Sequence, residues 1–207
     1  MNGKQIVKHG YDGLGEQYFV ERIKQAESLI KQEYFVSFVS QLVDGESVLD
    51  AGCGPGVPFT RELSRRFSVT GIDLSKTQLE IAEREVADTS FHCSDMCEFD
   101  APDESFAGIC SLYAIIHVPR TDHMRLFKNF HRMLKPNGLL FVVLGKDEDE
   151  HYVSETYYGQ EMYWSSYTPG EAKKVVEAAG FRIYRSEIVE DAMYPDSSHL
   201  FLLARKV

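Results

Sequence analysis

Short apolar runs alternate with amphipathic segments along most of the chain. From Glu16 to Val43 the apolar residues recur at helical spacing, and Asp44-Gly45 ends that pattern. Strand-like and helix-like segments then follow in turn. The predicted strands are Ser47–Asp50, Ser68–Asp73, Thr89–Ser94, Phe106–Leu112 and Gly138–Leu144, and the predicted helices between them are Pro55–Arg66, Ser75–Ala87 and Asp122–Leu134. Strands that alternate with helices indicate βαβ units and a mostly parallel sheet covered on both faces.

The last part of the chain has a different pattern. Thr168–Gly180 predicts one more helix, and Phe181–Val189 and His199–Lys206 predict two closing strands. Strands that follow one another at the end of a βαβ series are typical of an antiparallel hairpin at a sheet edge. We therefore expect a single domain over 1–207. Its parts are a helical segment (1–44), a core (45–144), an insertion (145–167) and a closing helix with a hairpin (168–207).

Composition and charge narrow the class of protein. The chain has 207 residues, of which 43% are hydrophobic, so it can bury one sizeable core. Its net charge of −10 disfavours a nucleic-acid partner, because binding to phosphates needs a basic patch. The sequence has no apolar run long enough to predict a membrane span, and its polar N-terminus does not predict a signal peptide.

The cysteines predict a cytoplasmic location and no metal site. All four lie in predicted core or turn segments rather than in a loop-rich framework, which favours a reducing compartment. Cys93 and Cys97 flank Asp95, but two thiols without a second pair make a poor zinc site. We expect them to be buried structural thiols.

A glycine-rich turn follows the first predicted strand. The strand ends in Asp50, and Gly52, Gly54 and Gly56 come directly after it. A dinucleotide-binding turn has Gly-x-Gly-x-x-Gly, but Val57 occupies the position of the third glycine. A carboxylate at the end of the strand would repel a diphosphate and favour a cation. S-adenosylmethionine carries a sulfonium and an ammonium group and no phosphate, so it suits this turn.

Two more carboxylates follow the next two predicted strands. Asp73 ends the second strand, where an acidic residue can accept both ribose hydroxyls. Asp95 follows the third strand and can accept from an adenine amino group, with Met96 against the ring face. Leu112 and Tyr113 follow the fourth strand, at the topological switch point where open α/β sheets bind ligands.

Four segments together resemble the class I S-adenosylmethionine-dependent methyltransferases of the small-molecule type. They are Val-Leu-Asp-Ala-Gly-Cys-Gly-Pro-Gly at 48–56, Gly-Ile-Asp-Leu-Ser at 71–75, Ser-Asp-Met at 94–96 and Met-Leu-Lys-Pro-Asn-Gly-Leu-Leu at 133–140. The resemblance implies a Rossmann-like three-layer sandwich whose seven-stranded, mostly parallel sheet ends in an antiparallel hairpin. It also implies a methyl transfer to oxygen, nitrogen or sulfur of a small molecule, with S-adenosylhomocysteine as the product, by a monomer or homodimer without a metal.

The same resemblance implies a cofactor site. The methionine moiety would lie near Asp50 and Gly52, the ribose on Asp73, and the adenine beside Met96 with its amino group toward Asp95. The full set of expected cofactor-binding residues is Tyr18, Asp50, Gly52, Cys53, Gly54, Asp73, Leu74, Asp95, Met96, Leu112 and Tyr113.

The N-terminal segment resembles the lid of small-molecule methyltransferases. Tyr11 and Tyr18 belong to a Tyr-Asp-x-x-x-x-x-Tyr element, and on a continuous helix they would share a face. Gly13 and Gly15 would allow such a lid to move. The alternative is that the two rings only pack the first helix.

Two other segments can border the acceptor. His117 follows the fourth strand and could take a proton from a hydroxyl or thiol, or only line the pocket. We name His117 and Tyr18 as candidate catalytic residues. The insertion 145–167 is rich in aromatic residues, and Tyr163 and Trp164 are the predicted acceptor wall, together with Tyr11 and His117. A cover packed on the sheet, or a subunit interface, would explain the same residues.

Other functions remain open at this stage. A protein methyltransferase would share the fold but need an open groove for a side chain. A non-catalytic S-adenosylmethionine-binding partner protein is also compatible, since a fold does not fix a function. A dehydrogenase is a weaker alternative, because the glycine pattern departs from the dinucleotide one.

Overall fold

The computed structural model describes residues 1–190 and 197–207, and its centre is a seven-stranded sheet. The strands of this sheet are β1 (Ser47–Ala51), β2 (Ser68–Asp73), β3 (Ser90–Cys93), β4 (Phe106–Ser111), β5 (Leu134–Leu144), β8 (Phe181–Glu190) and β9 (Ser198–Lys206). A separate two-stranded hairpin consists of β6 (Asp149–Tyr157) and β7 (Gln160–Ser166).

The order of the large sheet is β3-β2-β1-β4-β5-β9-β8. Strands β1 to β5 pair in parallel, whereas β9 runs antiparallel to both β5 and β8. The predicted mostly parallel sheet with an antiparallel C-terminal hairpin is therefore confirmed. The chain order reverses between β1 and β4, which creates a crevice at the carboxyl ends of these strands.

Helices surround the sheet. They are α1 (Gly3–Leu14), α2 (Glu16–Lys24), α3 (Ala26–Ile30), α4 (Glu33–Ser40), α5 (Phe59–Ser64), α6 (Lys76–Glu85), α7 (His123–Met133) and α8 (Pro169–Ala178). Side chains fix several of the helix starts. Ser75 caps α6 by accepting from the Gln78 amide, and Thr168 and Glu171 form a capping box at α8.

Strand β5 shows how the two faces of the sheet are covered. Leu140, Val142 and Leu144 pack into the hydrophobic cluster that includes α7 and α8. The alternate residues Phe141 and Val143 pack into the cluster on the other face, which includes α4 and α5. Because successive side chains of a strand point to opposite faces, a buried central strand becomes apolar at every position. The arrangement is a three-layer sandwich, as predicted.

Three predicted elements differ in the structure. The helical pattern over 16–43 is divided into α2, α3 and α4, and α1 precedes it. The helix predicted at Pro55–Arg66 begins only at Phe59, because Gly56 has a φ of +74° and continues the turn. The insertion 145–167, for which the sequence predicts no strands, contains the β6–β7 hairpin.

Helix α1 and the β6–β7 hairpin pack against each other through glycines. A Cβ on Gly10 would lie 2.6 Å from the Glu161 carbonyl oxygen and 2.8 Å from the Met162 methyl group. A Cβ on Gly3 would lie 2.8 Å from the Tyr163 ring. We call α1 and this hairpin together the cap. In the part of the chain that the structure describes, no helix combines the length and apolarity needed to cross a membrane.

Candidate functional site

The turn after β1 has a conformation that requires glycine. Gly52 has a φ of +83° and Gly54 a φ of +54°, in the left-handed region that disfavours other residues. The amides of Gly52 and Cys53 both donate to the Ile72 carbonyl oxygen, at 2.8 and 3.0 Å. A Cβ on Gly52 would lie 2.2 Å from the Cβ of Ala114. The turn is therefore held against β2 and against the loop that follows β4.

A cavity of about 710 Å³ lies over this turn. It is bounded by the turn, the ends of β2 and β4, the segment after β3, and helices α1 and α2. All expected cofactor-binding residues except Asp50 line this cavity, and Lys4, Val7, Tyr11, Arg22, Pro55, Ile72, Ser94, Ala114, His117 and Val118 complete its wall. We call it the first cavity.

Asp50 lies behind the wall of the first cavity. Its side chain is buried and accepts a hydrogen bond from the Thr60 hydroxyl of α5 at 2.6 Å, while the Cys110 thiol lies 3.7 Å from its other oxygen. Burial raises the pKa of Asp50 to about 6, and the Thr60 hydrogen bond partly offsets that rise. The carboxylate thus points toward α5 rather than to the methionine end of a ligand.

Asp73 is held by two backbone amides. Its Oδ2 accepts from the Gly54 amide at 2.9 Å, and its Oδ1 accepts from the Ser75 amide at 2.8 Å. Burial raises the pKa of this carboxyl above its ordinary value, and the two amides oppose that rise. A carboxylate offers about four lone-pair positions, so these bonds fix its orientation and leave capacity for a diol.

Asp95 forms an ion pair that the sequence did not reveal. Its Oδ1 accepts from the Cys97 amide at 2.9 Å, and its Oδ2 lies 2.7 Å from the Lys4 ammonium of α1. Lys4 also lies 2.9 Å from a carboxylate oxygen of Asp122. Burial lowers the pKa of Lys4, but its hydrogen bonds to the two carboxylates outweigh this effect and raise it. The ion pairs join α1 to the adenine end of the predicted site.

A second cavity of about 570 Å³ adjoins the first. Tyr11, Tyr18, Tyr113 and His117 line both cavities, and therefore form the boundary between them. The remaining residues of the second cavity are Ile116, Tyr157, Trp164, Ser197 and His199. Of the predicted acceptor-wall residues, Tyr11, His117 and Trp164 lie in this cavity.

Tyr163 does not line either of these cavities. Its ring is buried between Gly3 of α1 and the ring of His151, so it packs the cap together. Only its backbone carbonyl reaches His117. Neighbouring residues of a strand point to opposite sides, and Trp164 is the one that faces the cavity. The prediction that the Tyr163 side chain forms the wall is therefore wrong.

His117 connects the cap to the boundary of the cavities. Its Nδ1 lies 2.7 Å from the Tyr163 carbonyl oxygen, and its Nε2 lies 3.0 Å from the Tyr11 hydroxyl. A carbonyl oxygen only accepts, so Nδ1 carries the proton and Nε2 accepts from Tyr11. Burial lowers the pKa of His117 to about 4, and the imidazole is neutral at pH 7.

Arg22 also lines the first cavity, although no sequence motif indicates it. Its guanidinium carbon lies 5.8 Å from the Tyr18 ring centre, 5.3 Å from Phe59 and 5.7 Å from Tyr113. Arg22 occurs within an ordinary helical pattern that gives no sign of this packing. Among residues 1–190 and 197–207, no cluster of three or more histidine, cysteine or acidic side chains could hold a metal ion.

Comparison with known proteins agrees with this geometry. Residues 48–138 match the protein-family model described as a methyltransferase domain. This part of the chain is similar to methyltransferase domains. The match covers β1 to the start of β5, which carry the glycine turn, Asp73 and Asp95.

The chain is also similar to curated methyltransferases. The chain is 28% identical over 179 residues to a sterol 24-C-methyltransferase of Pneumocystis carinii, covering 78% of this chain and 46% of that protein. It is 31% identical over 101 residues to a ubiquinone biosynthesis O-methyltransferase of Coxiella burnetii, covering 47% of this chain and 42% of that protein. The chain thus spans about half the length of these curated relatives.

A solved structure confirms the predicted class I fold. The magnesium protoporphyrin IX methyltransferase of Synechocystis, solved with bound S-adenosylmethionine, superposes with a TM-score of 0.73 at 15% sequence identity. The alignment covers 100% of this chain and 98% of that one. The seven-stranded methyltransferase architecture therefore extends over the whole described chain.

Proposed function

We propose that this chain binds S-adenosylmethionine in the first cavity and transfers its methyl group to a small molecule in the second. The observation that carries the proposal is the junction of the two cavities at Tyr11, Tyr18, Tyr113 and His117. A methyl group that passes from one ligand to the other must cross this boundary. The similarity to a sterol 24-C-methyltransferase and to a ubiquinone biosynthesis O-methyltransferase supports the same reaction type.

The first cavity offers a group for each part of the cofactor. Asp73 would accept the ribose hydroxyls, and Asp95 the adenine amino group, with Met96 against the ring. The backbone of Gly52 and Leu112 would border the methionine end. When bound, S-adenosylmethionine supplies an activated methyl group. The residues of the chain then have to hold the acceptor in line and keep water out.

The cap favours a small acceptor over a protein side chain. Tyr11 of α1 lines the second cavity together with Tyr157 and Trp164 of the hairpin. Tyr18 and His117 are the proposed catalytic residues, because both lie at the boundary that the methyl group crosses. A cytoplasmic location and a monomeric or homodimeric state complete the proposal, and four free thiols are compatible with a reducing compartment.

Titration calorimetry with S-adenosylmethionine, S-adenosylhomocysteine and NAD tests the cofactor assignment. We expect binding of the first two, and Asp73→Asn should weaken it about 10- to 100-fold, since a hydrogen bond to a charged group contributes about 1.5–3 kcal/mol. Asp44→Asn, at an exposed position, is the control and should bind as the wild type does. Heat from NAD but none from S-adenosylmethionine would reject the proposal.

A further inference from the structure

The second cavity has an unusual set of lining residues. Four tyrosines, one tryptophan and two histidines form most of its wall, and no aspartate, glutamate, lysine or arginine lines it in the part of the chain that the structure describes. A carboxylate or phosphate on a ligand would find no cation there, and an ammonium would find no anion. Aromatic walls stack on flat rings and offer a few hydroxyl and imidazole groups as hydrogen-bond partners.

Trp164 is fixed as one wall of this cavity. Its ring centre lies 5.5 Å from that of His117, 5.6 Å from Tyr152 and 5.4 Å from Tyr157. The indole is therefore held by rings from β6 and from the loop after β4. Such a preorganised surface favours a rigid flat ligand, because little side-chain freedom is lost on binding.

The boundary of this cavity also contains a hydrogen-bonded chain of three groups. The Tyr11 hydroxyl donates to His117 Nε2 at 3.0 Å, and His117 Nδ1 donates to the Tyr163 carbonyl oxygen at 2.7 Å. This arrangement fixes the tautomer of the imidazole so that its basic nitrogen faces Tyr11. A proton that reaches the Tyr11 oxygen therefore has a direct path to a nitrogen that can hold it.

We propose that the acceptor is an uncharged aromatic ring bearing a hydroxyl group, and that Tyr11 and His117 receive its proton during methyl transfer. This inference rests on the proposed function and names the acceptor class of the same site. Tyr11 is then a catalytic residue that contacts the acceptor. Tyr163 acts through its backbone carbonyl and positions His117.

The proposed step balances in atoms and charge. The acceptor oxygen forms a bond to the methyl carbon while the carbon–sulfur bond breaks. The electron pair of the broken bond stays on sulfur. The hydroxyl proton passes to the Tyr11 oxygen as the Tyr11 proton passes to His117 Nε2. The sulfonium charge disappears as an imidazolium charge appears, so the net charge of the site is conserved. Solvent later removes the proton.

A weakly basic imidazole is sufficient for this step. The pKa of His117 is about 4 because the side chain is buried. A hydroxyl oxygen that has accepted a methyl cation is a far stronger acid than an imidazolium, so the proton transfer is downhill once the new bond forms. The titratable groups that share the second cavity with His117 are Tyr11, Tyr18, Tyr113, Tyr157 and His199.

Two flat bicyclic acceptors of similar size distinguish a role in proton removal from a role in packing. Methylation of 2-naphthol at oxygen releases a proton, whereas methylation of isoquinoline at nitrogen releases none. With radiolabelled S-adenosylmethionine, Tyr11→Phe should slow transfer to 2-naphthol by about 100-fold or more. Transfer to isoquinoline should change by less than about threefold. Tyr184→Phe, which removes a hydroxyl on β8, should leave both rates unchanged.

His117→Gln is the second variant. Its side-chain amide can still donate to the Tyr163 carbonyl, but it cannot take a proton, so we expect the same selective loss with 2-naphthol. If both variants slow methyl transfer to both acceptors equally, Tyr11 and His117 only pack the site, and the proposed proton transfer is overturned. A wild-type protein that binds S-adenosylmethionine but methylates neither ring, or prefers benzoate or benzylamine, would overturn the acceptor class. Absence of S-adenosylmethionine binding would instead reject the proposed function.

Discussion

Mild acid should destabilise this chain through His123, the first residue of α7. The imidazole is buried, and its Nε2 donates to the Val118 carbonyl oxygen at 3.0 Å. Burial lowers the pKa of His123 from 6.5 to about 4, despite hydrogen bonds that act in the opposite direction. The folded state therefore disfavours the protonated form. The contribution of the neutral His123 imidazole to the free energy of unfolding is fully present above pH 6.5 and is lost as the pH falls toward 4.

The size of the stability loss follows from the shift in the pKa of His123. A lowering of about 2.5 pKa units corresponds to about 3 kcal/mol when the loss is complete. Between pH 7 and pH 5 the unfolded imidazole, with a pKa of 6.5, takes up about three quarters of a proton, and the folded one takes up little. The integrated loss over that interval is about 2 kcal/mol.

Urea unfolding of the wild type and of His123→Gln at both pH values measures this loss. Trp164, the only tryptophan, serves as the fluorescent reporter. The glutamine cannot titrate, so the free energy of unfolding of the variant should fall by about 2 kcal/mol less than that of the wild type between pH 7 and pH 5. The pKa of Asp50 is raised to about 6, so this carboxyl group makes the folded state more stable as the pH falls. The contribution is the same in both proteins and cancels in the comparison.

The comparison has a matched control. His92 is exposed on β3, so His92→Gln should retain the wild-type pH dependence. Identical pH dependence in the wild type and in His123→Gln would show that His123 is solvated in the folded state. The burial argument would then be refuted.

Two further substitutions test the glycine turn and the attachment of α1. Gly52→Ala should reduce the free energy of unfolding by about 2–5 kcal/mol in urea, because the left-handed backbone is strained and the new Cβ meets Ala114 at 2.2 Å. Lys4→Met removes the ion pairs to Asp95 and Asp122, which are partly exposed, so it should cost only about 1 kcal/mol but raise hydrogen exchange across α1.

Each of these variants has a control in the same chain. Gly45 has a φ of +84° but a Cβ there would meet nothing within 4 Å, so Gly45→Ala reports the backbone strain alone. Equal losses at Gly45 and Gly52 would contradict the proposed clash. Lys76, an exposed lysine 3.6 Å from Glu80, is the control for Lys4. Unchanged exchange in α1 of Lys4→Met would show that these ion pairs do not hold the helix.

The sequence predicted the cofactor side of the fold in detail because that information is local. Strand β2 was predicted at Ser68–Asp73, as observed, since an apolar run ending in an aspartate is readable from neighbouring residues. Gly52 and Asp73 were expected in one site because the carboxyl ends of parallel strands meet at one edge. Both residues do line the same cavity.

The contacts between the cap and the core could not be predicted in the same way because they join distant segments. Lys4 and Asp95 are 91 positions apart, and no pattern near either residue indicates their pairing. Tyr163 and Trp164 are adjacent, and only the register of the hairpin decides which ring faces the cavity. The alternation of a short hairpin is hard to read where two aromatic residues are adjacent in the chain, as they are at 163 and 164.

The two strands of the cap hairpin are joined by a turn at Tyr158 and Gly159. A Cβ on Gly159 would meet no atom within 4 Å, and β6 and β7 form no ladder with the seven-stranded sheet. Insertions or exchanges in this short segment can therefore reshape the second cavity, which Tyr157 lines, without disturbing the strands that carry Gly52 and Asp73. Under the proposed function, new acceptor preferences can evolve here while the chemistry of the methyl donor stays unchanged.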